Sequence, residues 1–278
     1  MKTVKRVYRW ARISYKKEGL KGVLKYVYEL FCFRIYPSLY MAYLRHRTGE
    51  DVILKDVLGY KMFIDLKNDS LGYHLIRYGI WEPGTTRMLF DFLHEGMSVI
   101  DIGANIGYFT LIEARAVGER GKVYAIEPDP RNLKLLRKNV EINNLHNVEV
   151  FNCAISDKTG TEKFYLARCS NWNTLIPSSD AFDVIDVIEV EAYSLDDFVE
   201  KNRIEKVDAI RMDIEGGEGK VIDGGISTLK KAKILIMETH PELVVELGYS
   251  MEWMIDKLKS LGFELMREID GVCAFVRK

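Results

Sequence analysis

The sequence predicts an α/β fold: a Rossmann-like, doubly wound, mainly parallel seven-stranded sheet with an antiparallel edge strand, preceded by an N-terminal helical extension. Three observations carry this. From Gly96 onward, short apolar runs alternate with amphipathic stretches at helical spacing, the rhythm of strand and helix in a parallel sheet. Glycine-rich or acidic residues follow the ends of the apolar runs, where ligands of such sheets bind. The chain closes on two apolar runs joined by Asp270-Gly271, a tight-turn dipeptide that makes them an antiparallel pair.

Each element follows in order. Residues 1–50 form a basic, aromatic-rich segment with twelve Lys or Arg against three Glu, a balance of +9. The remaining chain has 28 basic and 38 acidic residues, a balance of −10. Val4, Val7, Tyr8 and Ala11, then Leu20, Val23, Leu24, Val27, Tyr28 and Phe31, fall on apolar stripes with lysines and arginines between them. Such a helix can lie on an anionic membrane or pack its stripe on the catalytic domain. Residues 51–95 read as a β-hairpin turning near Gly59, a loop through Trp81, and a helix over 85–93. Residues 96–278 supply the core domain. Its strands are expected at 98–102, 122–126, 148–153, 207–212 and 233–237, with a hairpin at 163–166 and 187–192 and the closing pair at 263–266 and 272–276. Helices are expected at 106–117, after the Asp129 cap with Pro130 in the first turn, after the Ser194–Asp197 capping box, and over 250–260.

Composition narrows the class. Apolar residues make up 47% and charged residues 29% of the 278, as in globular proteins rather than disordered ones. Cys32, Cys153, Cys169 and Cys273 are scattered without a C-x-x-C pair, so neither a disulfide framework nor a zinc site is indicated and a reducing cytoplasm fits. No signal peptide is expected, and Lys25, Glu29, Arg34 and Pro37 interrupt the one apolar stretch that approaches a membrane span. The acidic body argues against broad nucleic-acid binding.

The residues that carry chemistry lie just after strands. In VIDIGANIGYFT (99–110), Asp101 ends a strand, and Gly103 and Gly107 permit a tight turn with close backbone approach of a ligand. A dinucleotide fingerprint would need glycine where Asn105 and Tyr108 stand, and Asp101 would repel a diphosphate. A cationic ligand suits the turn better, and S-adenosylmethionine carries a sulfonium and an ammonium. Glu127 in YAIEPDP is placed to accept both hydrogen bonds of a ribose diol, and Asp157 in NCAISD to accept from an adenine amino group; the alternative for Asp157 is a plain turn. AIRMDIEGGE (209–218) brings Asp213, Glu215 and Glu218 to one strand end, where they can hold an amino group, a substrate hydroxyl, a metal or a helix N-terminus. Glu238 and His240 in METHPE alternate along the next strand and share a face, with His240 the natural general base. Asp213, Glu238 and His240 can also be read as ligands of a divalent ion, though no metal is needed by the main reading.

Together, GIWEP (79–83), DIGANIGYFT (101–110), EPDP (127–130), SLDDF (194–198), RMDIEGGEGKVIDGG (211–225) and METH (237–240) resemble the FkbM family of methyltransferases, over about residues 79–240. The resemblance implies a class I fold, S-adenosyl-L-methionine as donor, and methyl transfer to a hydroxyl of a sugar, glycan or natural product. From their places at the strand ends, Asp101, Gly103, Asn105, Gly107, Glu127 and Asp157, with Glu82, are expected to hold the donor, and Asp213, Glu215, Glu238 and His240 to orient or deprotonate the acceptor hydroxyl. The first 50 residues lie outside the resemblance, and their contact would be peripheral, with an anionic membrane. The rival readings are a nicotinamide-dependent oxidoreductase and a non-catalytic membrane-surface module.

Overall fold

The computed structural model describes residues 35–67, 70–177 and 183–277, with isolated positions between 20 and 31. The stripe over residues 4–11, with Val23 and Cys32, lies outside the described residues. Among those described before the fold proper, Leu20, Leu24, Val27, Tyr28 and Phe31 are exposed, and Phe31 lies 6.4 Å, ring to ring, from Tyr36 of the first full helix.

The first full helix, α1 (Tyr36–Thr48), rests Met41 against Leu66 and Tyr73. A hairpin follows, β1 (Val52–Val57) and β2 (Tyr60–Asp65), turning at Leu58-Gly59. Two helices rather than the one expected lead to the core, α2 (Leu71–Tyr78) and α3 (Pro83–Phe92). The additional helix is short and follows a polar tract, so its apolar face (Leu71, Leu75) is too brief to show periodicity. The core then runs β3 (Ser98–Ile102), α4 (Tyr108–Val117), β4 (Lys122–Ile126), α5 (Pro130–Ile142), β5 (Val148–Phe151), β6 (Ala154–Ser156), β7 (Gly160–Ala167), β8 (Val184–Ser194), α6 (Leu195–Lys201), β9 (Ala209–Met212), α7 (Glu218–Asp223), α8 (Ile226–Leu229), β10 (Ile234–Glu238), α9 (Pro241–Val244), α10 (Met251–Ser260), β11 (Phe263–Ile269) and β12 (Val272–Arg277).

Seven strands form the main sheet in the order β11-β12-β10-β9-β3-β4-β5. β3, β4, β5, β9 and β10 are parallel, and β12 runs antiparallel to both β10 and β11, which supplies the antiparallel character expected at this edge. Strand order reverses at β3, whose neighbours β4 and β9 leave in opposite directions, so a crevice opens beyond the carboxyl ends of β3, β4 and β9. The expected 163–166/187–192 hairpin forms as β7–β8, but it belongs to a separate three-stranded sheet with β6.

Two apolar layers hold the sheet. One face packs α6, α7 and α10 around Phe198, Met212 and Phe263; the other packs α3, α4 and the hairpin around Met62, Leu89 and Leu111. The hairpin is tied down by Asn139 of α5, whose Oδ1 accepts from Phe63 N (2.6 Å) and whose Nδ2 donates to Ile106 O (2.8 Å). Capping follows the sequence signals. Asp129 accepts from Arg131 N (2.8 Å), and Ser194 Oγ accepts from Asp197 N (3.1 Å).

Gly103 and Gly107 serve different ends. Gly103 has φ +84, and a Cβ there would sit 2.1 Å from Asp213 O; Gly107 has φ +93, and a Cβ would meet Leu136 of α5 at 2.7 Å. The first glycine lets two strand-end loops touch, and the second lets two helices touch. Gly103→Ala should therefore destabilise by several times the ~1 kcal/mol expected of a positive-φ glycine with open surroundings such as Gly79. Urea denaturation of the two variants measures the difference.

Candidate active site

At the crevice lies a cavity of about 360 Å³, lined by residues from the ends of β3, β4, β9 and β10 and by the loops carrying Trp81 and Trp172. It has two chemically distinct ends.

One end is built from backbone donors and apolar surfaces. Gly103, Ala104 and Asn105 turn out of β3, with Asn105 at φ +52. Asn105 N–H donates to Glu127 Oε2 (2.8 Å), and Asp129 N–H donates to Glu127 Oε1 (2.8 Å). Glu127 is thus locked at the end of β4 beside the glycine turn. Burial, reinforced by Asp129, pushes its carboxyl up to about 8, against the pull of those two hydrogen bonds. Cys153, Ile155 and Phe164 line an apolar slot beyond it.

The other end is acidic. Glu82, Asp213, Glu215 and Glu238 line it, and Glu82 (φ +40) and Glu215 (φ +50) hold strained backbone conformations there. Burial, with Asp213 as the largest charge contribution, raises Glu82 to about 7. Burial likewise raises Glu238 to about 9, with Asp213 and Glu82 adding to it, and Glu215 to about 8, where His240 pulls the other way.

Arg211 sits beneath both ends and is 3% exposed. In the β3–β9 register it stands beside Asp101. Its Nη1 donates to Asp101 Oδ1 (3.1 Å) and Gly103 O (3.3 Å), its Nη2 to Asp213 Oδ2 (2.8 Å), and its guanidinium lies 4.3 Å from the Phe109 ring centroid.

Several sequence expectations change here. Asp101 does not line the cavity. It is fully buried behind the glycine turn, accepting from Thr110 Oγ1 (2.6 Å) and paired with Arg211, so its charge is already met. Gly107 is not a lining residue either; it lies against Leu136. Asp157 is carried away because β6 leaves the main sheet to pair with β8, and it pairs instead with Lys220 (3.3 Å). His240 is not placed as a free base. Its Nδ1 lies 2.8 Å from Glu218 Oε1 and its Nε2 3.4 Å from Glu215 and 3.8 Å from Glu238. Burial would lower its pKa, but the bond to Glu218 and the surrounding carboxylates raise it to about 10, so the ring is held as imidazolium. The structure does gather Gly103, Asn105, Glu127, Glu82, Asp213, Glu215 and Glu238 on one cavity.

Arg211 lies inside AIRMDIEGGE, where its role depends on a partner far away in sequence. The signal was there: an arginine between Ile210 and Met212 in a short apolar strand must have a buried partner, and Asp101 in the equally apolar VIDI is its counterpart. Trp81, Trp172 and Asn173 reach the cavity from loops, with no periodicity to announce them. Asn173 Nδ2 donates to Asp129 Oδ2 (2.7 Å), pinning that loop to the α5 cap.

A Rossmann-like sheet in this strand order, with a glycine turn after β3 and an acid after β4, is the arrangement of class I S-adenosylmethionine-dependent methyltransferases. Residues 101–265 match the model of the methyltransferase FkbM domain, and the chain belongs to that family. It is 28% identical over 186 residues to the 2-O-methyltransferase NoeI of Sinorhizobium fredii, covering 61% of this chain and 73% of that protein. It is 26% identical over 154 residues to the methyltransferase sdnD of Sordaria araneosa, covering 45% of this chain and 59% of that one. Among solved structures, a SAM-dependent methyltransferase from Aquifex aeolicus superposes with a TM-score of 0.40 at 23% identity, covering 73% of this chain and 90% of that one. S-adenosyl-L-methionine is the cofactor, and the nicotinamide reading falls.

Replacing Arg211 with Met should cost about 3–5 kcal/mol, because Asp101 and Asp213 lose a shared buried partner. Arg211→Lys should recover only part of this, since one ammonium cannot span both carboxylates. Guanidinium unfolding curves report both values.

Proposed function

We propose that the protein O-methylates a hydroxyl of a sugar, glycan or related small molecule. The observation that carries this reading is the two-ended cavity: an ordered, largely uncharged end beside Glu127 and an acidic end beside Asp213. Glu127, with the turn at Gly103 and Asn105, holds the ribose of the donor. Cys153 and Ile155 would take the adenine, and the carboxylates of the acidic end would meet the positive sulfonium. Glu82 stands at the boundary, where it can meet the donor's ammonium.

At the acidic end, Asp213, Glu215 and Glu238 receive the acceptor. Carboxylates are apt partners for sugar hydroxyls because each offers two oxygens to neighbouring donors. Trp81 adds an apolar face on which a sugar ring can lie. The acceptor oxygen attacks the methyl in line with the sulfur; the S–CH3 bond breaks, its electron pair returns to sulfur, and a neutral thioether leaves. The hydroxyl proton passes to a carboxylate of the floor, and His240, anchored on Glu218, positions Glu215 and Glu238 rather than accepting it. Alignment of oxygen, methyl and sulfur supplies much of the acceleration, because the leaving group needs no proton. The 2-O-methyltransferase name of one relative supports oxygen as the acceptor atom.

The N-terminal segment supports peripheral membrane contact. Leu24, Val27, Tyr28, Phe31, Leu39 and Tyr43 are exposed, next to a run of Lys and Arg in the sequence. None of the described helices is long and apolar enough to cross a membrane. A lipid-linked or membrane-proximal glycan would then reach the cavity from that side.

Three measurements test the reading. Calorimetry should find donor affinity at least ~10-fold weaker in Glu127→Ala, consistent with loss of about 1.4 kcal/mol or more from the hydrogen bonds to the diol; unchanged affinity would remove the ribose assignment. Product mass spectrometry with labelled donor and candidate saccharides should show a mass gain on oxygen, with turnover abolished and donor binding kept in Asp213→Asn. Flotation with anionic vesicles should be lost when Lys16, Lys17, Lys21 and Lys25 become Glu, and equal flotation of both forms would end the membrane assignment.

A further inference from the structure

Three donors meet at the acidic end of the cavity. One ligand atom from each of Asp213, Glu238 and His240 lies within 4.8 Å of the other two. They come from neighbouring strand ends: Asp213 follows β9, Glu238 ends β10, and His240 caps α9 two residues later. The two strands are hydrogen-bonded in parallel register up to Met212 and Met237, so the sheet itself fixes the spacing of the donors.

Two observations distinguish this triad from a group of acids sharing a surface. The first is the anchoring of the histidine. Glu218 is wholly buried, with Oε1 2.8 Å from His240 Nδ1 and Oε2 left without a hydrogen-bond partner. A carboxylate on the rear nitrogen fixes the ring and directs Nε2 toward Glu238 and Glu215, which is how metal-ligating imidazoles are oriented. The second is charge. Glu82, Asp213, Glu215, Glu218 and Glu238 are opposed by His240 and Arg211, and Arg211 is shared with Asp101. Arg211 donates to Oδ2 of Asp213 (2.8 Å) and so fixes that carboxylate at the end of β9. A divalent ion set among them offers these crowded carboxylate oxygens a shared partner.

We propose that Asp213, Glu238 and His240 bind a divalent metal ion of the Mn2+ class at the acceptor end of the cavity. With the ion bound, Nε2 of His240 gives up its proton to solvent and becomes the ligand, while Nδ1–H stays on Glu218; two carboxylate oxygens and one imidazole nitrogen suit Mn2+ better than Ca2+, which prefers oxygen alone. The ion takes the acceptor hydroxyl as a further ligand, lowers its pKa, and releases its proton to a neighbouring carboxylate as the oxygen attacks the methyl. That role rests on the function proposed above; the binding of the ion does not.

The test uses the full-length chain, treated with EDTA and dialysed, with Mn2+ as the probe. Paramagnetic resonance of free Mn2+ should show one ion bound per chain, and nitrogen couplings in the bound spectrum should report the imidazole. In His240→Asn the nitrogen couplings should vanish, and in both His240→Asn and Glu238→Gln affinity should fall at least ~10-fold. Glu218→Gln should weaken binding by about 10–100-fold without removing a ligand, while Glu242→Gln on the exposed side of α9 should leave it unchanged. Calorimetry with S-adenosylmethionine on the same samples shows that each variant is folded. Donor binding without stoichiometric Mn2+, or unaltered Mn2+ affinity and nitrogen coupling in His240→Asn, overturns the metal site and leaves the methyltransferase reading standing. Mn2+ binding without transfer to any hydroxyl does the reverse.

Discussion

Arg211 and its two carboxylates join the halves of this site into one object. The guanidinium lies in the middle of the sheet, where a lone charge would be untenable, and it is tolerated because β3 and β9 bring Asp101 alongside it and Asp213 above it. Its third contact, to Gly103 O, extends the same interaction to the turn after β3. The cofactor turn, the acidic floor and the central strand pair are thus held by one cation. A buried ion pair of this kind contributes less to net stability than its geometry suggests, because desolvation offsets the attraction. What it contributes is register: a slip between β3 and β9 would strand both charges.

The division of the cavity follows from where the strand order reverses. β3 and β4 end on the donor side and deliver backbone N–H groups and one carboxylate that those groups hold. β9 and β10 end on the other side and deliver side chains, most of them acidic, into a space where burial and mutual repulsion raise their pKa values. Strain is placed accordingly. Glu82, Asn105 and Glu215 line the cavity at positive φ, each at a cost of order 1–3 kcal/mol, offset by the packing of the elements on either side. Rigid strand ends holding strained, closely spaced polar groups are what a methyl transfer dependent on alignment requires.

The sheet was legible in the sequence nearly strand by strand because buried parallel strands are short apolar runs, and turn glycines and helix caps punctuate them. Asp129, Pro130 and Ser194 signal helix starts through purely local chemistry. Gly103, Asn105, Glu127, Asp213, Glu215 and Glu238 could be assigned to one crevice because they follow strands, and in a doubly wound sheet the ends of those strands converge. Less was readable where an acid's meaning depends on what lies behind it. Asp101 and Asp157 look like Glu127 in sequence, yet one is neutralised by an arginine a hundred residues away, and the other is diverted by a strand that joins a different sheet.

The sequence by itself determined the class of fold, the family and the set of strand-end residues, since periodicity and short motifs are local properties of the chain. Only the tertiary structure decided which carboxylates face the cavity and which are buried behind it. Strand register paired Arg211 with Asp101, and the meeting of β10 with α7 placed Glu218 behind His240. Coulombic and desolvation energies depend on distance through space, and that distance is not written in the spacing of residues along the chain.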